Sequence, residues 1–369
     1  MKKVLLDYRA ATVKPGSGVA RQIYALEAYL MARGDVDLLL VSDGPLDSAD
    51  RARMIMPEKG ASLEQVPRPL RRLWYEQVFL PKVIQREQPD IFYNAINSGL
   101  PIWGNRKTTY IQWIHDLFHI TEKDVFPSWK GKLRYLPYYW FSFYSSIRRA
   151  DKIHVISDYT GRECARLFPF AKDKITRIYN YVEQSAEFPT EAVAGLPEQY
   201  WLVVSSNEPR KNLSRFFAQW LALEQTERLP LVLVGEISPL VSDMLAEPDF
   251  HFYSGVSDPE LNTLYMKASC LWQPSLAEGF GLPVIESLVR GTPVVVASGS
   301  ALDEIKPKET LSFDGRSDED ICRCLSQLAK NPLPRPQKDH VEQWLAQFNG
   351  QAFKQHLDEF LNPLLEVTD

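Results

Sequence analysis

Two glutamates, Glu278 and Glu286, are separated by seven residues in "AEGFGLPVIESLVRGTPVVVA", residues 277–297. On one continuous helix, eight positions turn roughly 80° and climb about 12 Å, so the two carboxylates would not meet on a single small group. The local chemistry also argues against one helix. Gly279 and Gly281 disfavour helix, Pro283 suits a first turn and Gly291 suits a stop. The spacing therefore predicts a loop carrying Glu278 and a helix from Pro283 to Arg290 carrying Glu286, and "TPVVVA" (292–297) then reads as a buried strand. Such a frame fits a ligand with two separated polar ends, and backbone N–H groups around Gly279 to Leu282 would face an anion at the helix start. A sugar joined to a nucleoside by a diphosphate has that shape. The bland alternative is a glycine-rich loop with two solvated acids.

Other candidates are weaker alone. "NEPRKN", residues 207–212, places Arg210 and Lys211 side by side after a strand, where two cations could neutralise a diphosphate or simply begin a solvated helix. Gly16-Ser17-Gly18 opens a helix near the first strand, a place where backbone N–H groups can approach a phosphate or a sugar. "IHDLFH" ends a strand with His115 and Asp116. His115 and His119 have the H-x-x-x-H spacing of a zinc site, but the strand-like "TTYIQWI" before them and the Asp116 between them speak for a strand end and a loop histidine. "DVD" at 35–37 precedes a buried strand and is read as structural.

The elements that must position these residues alternate strand and helix. "KVLLDY", "VDLLLVS", "PDIFYN", "TTYIQWIH" and "DKIHVIS" form one series, and "YWLVVSS", "LPLVLVGE", "FHFYSG", "ASCLWQPS" and "TPVVVAS" form a second. Alternation of this kind implies parallel sheets covered on both faces, with ligands beyond the carboxyl ends of the strands. The polar segment 183–199 reads as a linker. The expected organisation is α/β, with doubly wound, Rossmann-like domains at 1–182 and 200–338, and a C-terminal helical segment at 339–369.

At 369 residues the chain exceeds what one core supports. With 42 basic and 47 acidic residues and a net charge of -5, a nucleic-acid partner is not expected. Four cysteines, Cys164, Cys270, Cys322 and Cys324, have neither metal-site spacing nor disulfide-framework density. "MKKVLLDY" lacks a signal-peptide core and no apolar run approaches bilayer length, so a cytoplasmic location is expected.

Together these residues resemble glycosyltransferase family 4, the retaining nucleotide-sugar transferases of GT-B fold. The resemblance is carried by "SGVARQIYALEAYL", "IQWIHDLF", "ADKIHVISDYT", "VVSSNEPRKNL", "FYSGVSDPELNTLYMKASCLWQPSLAEGFGLPVIESLVRGTPVVVAS" and "SALDEI". "EPRKN" with "WIHD" is most similar to bacterial O-antigen and polysaccharide transferases, often users of GDP-mannose. The resemblance implies that the two GT-B domains face a central cleft and that the C-terminal helix returns to the first domain. It implies that Glu278, with backbone N–H groups of Gly279, Phe280 and Gly281, holds donor-sugar hydroxyls, and that Glu286 holds the ribose. Arg210 and Lys211 would stabilise the departing diphosphate, while Asn207, Gly255, Val256 and Leu282 would complete the donor site and Gly18 would approach the donor from the first domain. His115 would line the reacting sugar, and Ser17, Gly18, His115 and Asp116 would meet the acceptor. Ser205 stands where many relatives carry a further cation, which places more weight on Arg210 and Lys211. No cofactor or essential metal is implied. The implied partners are a nucleotide sugar and a lipid-linked glycan acceptor.

"YLPYYWFSFY" (135–144), flanked by "KGKLR" and "RRADK", and "RPLRRLWYEQVFLPK" (68–82) suit either an anionic inner-membrane surface or packing on the first sheet. Other readings remain open at this stage: a donor such as GDP-rhamnose, dTDP-rhamnose or a UDP-sugar, an epimerase or phosphorylase of the same architecture, or a non-catalytic binding subunit.

Overall fold

The computed structural model describes residues 1–14, 16–44, 53–57, 68–122, 129–185 and 187–366. The chain divides into two compact units. Unit 1 takes in Met1–Thr121, most of the chain from there to Tyr181, and the final segment from Gln351; unit 2 holds Val182–Gly350.

Unit 1 is built on a parallel seven-stranded sheet: β1 (Lys2–Asp7), β2 (Val36–Val41), β3 (Met54–Ile55), β4 (Ile91–Asn94), β5 (Thr109–Ile114), β6 (Lys152–Val155) and β7 (Ile175–Arg177). The order is β3-β2-β1-β4-β5-β6-β7. In β1 the last four residues are fully buried, the pattern of a strand covered on both faces. Unit 2 repeats the plan with six parallel strands: β8 (Trp201–Ser205), β9 (Leu231–Gly235), β10 (Phe250–Tyr253), β11 (Cys270–Gln273), β12 (Val294–Ala297) and β13 (Ser312–Phe313), in the order β10-β9-β8-β11-β12-β13. Its core centres on Trp201, Phe216, Trp220 and Trp272, with the Trp201 and Trp272 rings edge to face at 5.4 Å.

Each sheet winds outward from its first strand and then returns to that strand's other side. The direction of winding therefore reverses between β1 and β4 in unit 1, and between β8 and β11 in unit 2. Loops leaving the carboxyl ends of two such strands diverge and leave a crevice, which is where open α/β sheets bind ligands.

The structure refines three expectations. Two- and three-residue edge strands, β3, β7 and β13, extend the sheets beyond the runs visible in the sequence. The described residues of 183–199 form no helix or strand but are pinned to unit 2: Asn262 Nδ2 donates to Pro189 O at 2.9 Å and Thr263 Oγ1 to Glu191 O at 2.7 Å. The C-terminal segment is not one helix. Lys338–Leu345 and the turn Ala346–Phe348 stay with unit 2, Asn349 is extended, and a helix over Gly350–Leu365 follows. That helix packs on unit 1 through Phe353, Leu357, Phe360 and Leu361, and Asp358 accepts hydrogen bonds from Tyr29 Oη at 2.7 Å and from Arg33 at 3.1 Å.

Candidate active site

In unit 2, Arg210 and Lys211 leave the end of β8 on a short 3-10 turn, Pro209–Lys211, and Glu278 lies in the loop after β11. The reversal of winding between these strands brings the three together. Lys211 Nζ donates to Glu278 Oε1 at 2.7 Å, and Arg210 donates to Glu278 Oε2 at 3.0 Å and to Ala277 O at 3.1 Å. Gln273 Nε2, at the last position of β11, donates to Glu278 Oε1 at 2.8 Å. Leu276 N donates to Arg210 O at 2.8 Å, which ties one loop to the other. Burial alone would raise the Glu278 carboxyl, but the charges of Lys211 and Arg210 and the hydrogen bonds of Lys211 and Ser275 bring it down to about 2. It is therefore ionised at any working pH. Arg210 also pairs with the exposed Glu208 at 2.9 Å.

Glu286 takes the other end of the motif. The helix over Leu282–Val289 starts one residue before Pro283 and ends before Gly291, whose φ is +72°. It opens at Gly281, with φ +106°, where a Cβ would lie 2.6 Å from the Leu302 side chain, so only glycine fits. Glu286 is buried and accepts a hydrogen bond from Tyr265 Oη at 2.9 Å. The two glutamates are thus separated as the spacing predicts, one in the loop and one on the helix. Asn207 is exposed in the loop after β8, and Gly255 (φ +64°) and Val256 follow β10 in the same unit.

Unit 1 holds a cavity of about 480 Å³ at its own reversal point, lined among others by Arg9, Ser17, Asp43, Arg72, His115 and Tyr139. Its wall is a buried ion network. Arg9 forks onto Asp7 (2.6 Å) and reaches Glu76 (3.2 Å), and Arg72 bonds the same Glu76 oxygen at 2.6 Å and Ser98 Oγ at 2.9 Å. Gly99, at φ +113°, leaves room for the Glu76 carboxyl, which a Cβ there would overlap. His115 Nε2 lies 3.1 Å from Ala95 O, which fixes the proton on that nitrogen. Its Nδ1 is buried with no hydrogen-bond partner and is left as an acceptor. Burial lowers the His115 pKa, keeping the ring neutral. Ser17 Oγ caps the helix Gly18–Met31 by accepting from Ala20 N at 3.1 Å. Asp116 does not line this cavity; its carboxylate accepts from Asn97 Nδ2 at 3.1 Å and braces the turn after β5. His119 stacks on Tyr139 at 4.3 Å, and among the described residues no group of three or more metal-ligating side chains occurs.

The family models follow the two halves. A model described as Glycosyltransferase Family 4 matches residues 16–185, and one described as Glycosyl transferases group 1 matches residues 187–343. The chain belongs to glycosyltransferase family 4. Among its relatives in this family, the O-antigen chain mannosyltransferase B of Escherichia coli is 29% identical over 60% of this chain and 60% of its own length. The O-antigen chain mannosyltransferase RfbU of Salmonella typhimurium is 28% identical over 46% of this chain and 48% of its own. The chain thus aligns with about half to three-fifths of these curated relatives. The fold is the GT-B fold: sucrose-phosphate synthase from Thermosynechococcus elongatus superposes with a TM-score of 0.74 at 16% identity, covering 99% of each chain.

In this member of the family, several residues that build the clusters escaped the sequence reading. Gln273 had one usable signal, a polar residue ending the buried run "CLWQ". Glu208 lay inside the quoted "NEPRKN" without a role. Tyr265 carried no signal, because an aromatic on a helix is usually core. The Asp7–Arg9–Glu76–Arg72 network joins residues about 70 positions apart, a pairing that only the topology reveals.

Proposed function

We propose that this chain is a retaining mannosyltransferase that moves mannose from GDP-mannose onto a growing lipid-linked bacterial polysaccharide, of the O-antigen kind, without a metal. The observation that carries the proposal is the Glu278 carboxylate fixed between Lys211 and Arg210 beyond β8 and β11, with Glu286 eight residues on along the adjoining loop and helix. The mannosyltransferase names of its relatives support the choice of sugar.

Transfer breaks the bond from the anomeric carbon to the diphosphate oxygen and forms one to an acceptor hydroxyl oxygen, whose proton passes to the departing phosphate. Positive charge develops at the anomeric carbon and negative charge on the phosphate, so fixed cations aimed at the phosphate lower the barrier most. In this reading Lys211 and Arg210 do that work, and Glu278 sets their positions and accepts hydrogen bonds from donor-sugar hydroxyls. Glu286, steadied by Tyr265, takes the ribose hydroxyls. The cavity of unit 1 takes the acceptor, with the free Nδ1 of His115 available to a sugar hydroxyl. The acceptor's lipid places the reaction at the cytoplasmic face of the inner membrane.

The test is incubation with GDP-mannose and a synthetic polyprenyl-diphosphate-linked mannoside, following GDP release and the configuration of the new linkage. Acceptor-dependent GDP release with an α-linked product is expected. Conversion of the donor without acceptor, or turnover that depends on inorganic phosphate, would replace the transferase by an epimerase or a phosphorylase.

A further inference from the structure

The helix over Trp129–Arg149 in unit 1 has two unlike faces. Its inner face is buried: Phe143 and Ile147 belong to the core, and Ser142 and Ser146 hydrogen-bond the loop after β4 through Ser98 Oγ (2.9 Å) and Gly99 N (2.7 Å). Its outer face should be polar in an ordinary surface helix. It is not. The exposed positions 129, 133, 137, 140, 144 and 148 recur every three or four residues and stay within an arc of roughly 100°. They are Trp, Leu, Pro, Trp, Tyr and Arg, and Trp129 and Leu133 are 71% and 70% exposed. Phe141 (51%) and Phe170 (40%) widen the stripe, Phe170 standing edge to face with Tyr144 at 5.7 Å and beneath the Arg148 guanidinium.

The charge is as one-sided as the apolar surface. The 21-residue helix contains Lys130, Lys132, Arg134, Arg148 and Arg149 and no carboxylate, in a chain whose net charge is -5. A contiguous exposed apolar stripe of this kind marks an interaction surface. Tryptophan and tyrosine with cations on the same face match a bilayer interface, where the rings sit at headgroup depth and the cations meet lipid phosphates. No helix among the described residues is long and apolar enough to cross a membrane, so the contact would be peripheral.

We propose that the outer face of the helix Trp129–Arg149, with Phe170, is the surface by which this protein docks on an anionic phospholipid bilayer. The proposal deepens the reading of a lipid-linked acceptor and rests on it for its purpose. The same helix carries Tyr139 and Phe143 on the wall of the unit 1 cavity, roughly 130° and 90° around from the middle of the stripe. Docking through the stripe would therefore hold that cavity beside the membrane, where a lipid-anchored glycan can reach it.

The test is flotation of the full chain with vesicles of phosphatidylcholine alone or mixed with phosphatidylglycerol, at low and high salt. The wild type is expected to float only with the anionic vesicles and to be released by salt. Lys130→Gln with Lys132→Gln should weaken partitioning by roughly fivefold per cation lost. Leu133→Glu with Trp140→Glu should abolish flotation while GDP affinity, measured by calorimetry, stays at the wild-type value. Failure of the wild type to float with anionic vesicles at low salt overturns the proposal, as does flotation of the double-glutamate variant at the wild-type level. A dimer that the same variant converts to monomer, without vesicle binding, would make the stripe a self-association face instead and also overturn it. Vesicle binding by a protein that binds no sugar nucleotide would leave the docking surface standing and remove the transferase reading, so the two failures are distinguishable.

Discussion

Replacing Glu278 by glutamine keeps the shape of the side chain and removes the charge that Lys211 and Arg210 share. In the folded chain Glu278 titrates at about 2 against an ordinary 4.5. A carboxyl depressed by folding contributes stability that is present above its unfolded pKa and lost as the pH falls through its folded value. The difference of roughly 2.5 units corresponds to about 3 kcal/mol, at about 1.36 kcal/mol per unit. About 2 kcal/mol of that is lost between pH 7 and pH 3, because the unfolded chain then binds nearly one proton more than the folded one at this site. Urea unfolding across that pH range at low salt, in wild type and Glu278→Gln, isolates the contribution. Asp35, Asp90 and Asp320 are also depressed in the folded chain, but they are present in both proteins and cancel. Glu208 shares Arg210 and would tighten on it in the variant, so about 2 kcal/mol is an upper figure for the difference. The wild type should lose stability more steeply below pH 4.5. Parallel curves would show that Glu278 is not held ionised by the two cations, and the electrostatic account of the cluster would fall.

Three further outcomes are expected. Lys211→Ala should reduce turnover by about 10²-fold or more without unfolding the chain, and Lys211→Arg should restore part of it; near-normal turnover in the folded alanine variant would remove Lys211 from the reaction. Gly281→Ala should destabilise the protein by about 1–3 kcal/mol in thermal unfolding, because alanine is strained at φ +106° and its Cβ meets Leu302 at 2.6 Å. Tyr265→Phe should weaken GDP binding by about fivefold in calorimetry, the effect of losing one hydrogen bond to the Glu286 carboxylate, and an unchanged affinity would detach Tyr265 from the ribose contact.

The motif Glu278 to Ala297 was legible because its glycines and prolines act locally: Gly281 and Gly291 require positive φ, and Pro283 sits in the first turn of its helix. The alternation of apolar runs showed the parallel sheets for the same reason, since a strand buried on both faces must be apolar throughout. Edge strands such as Ser312–Phe313 are too short to show a period. The break in the C-terminal segment escaped because Val341, Leu345 and Phe348 continue the apolar spacing across it; these residues and those of Gly350–Leu365 are buried in different units. Long-range partners were the largest gap. Gln273 beside Glu278 follows from the loop's path, and Glu76 beside Arg9 from the winding of the sheet, and neither leaves a mark in local spacing. The aromatic segment 135–144 was visible, but only burial along the helix separates Phe143 in the core from Trp140 and Phe141 at the surface.

The most direct test of the central claim is calorimetric titration of GDP, UDP, dTDP and ADP into the purified protein and into Glu286→Ala. The account predicts that GDP binds in preference to the other three and that the mutation weakens it. Preference for another nucleotide would contradict the GDP-mannose assignment. Binding of none, by a folded protein, would contradict the nucleotide-sugar site itself.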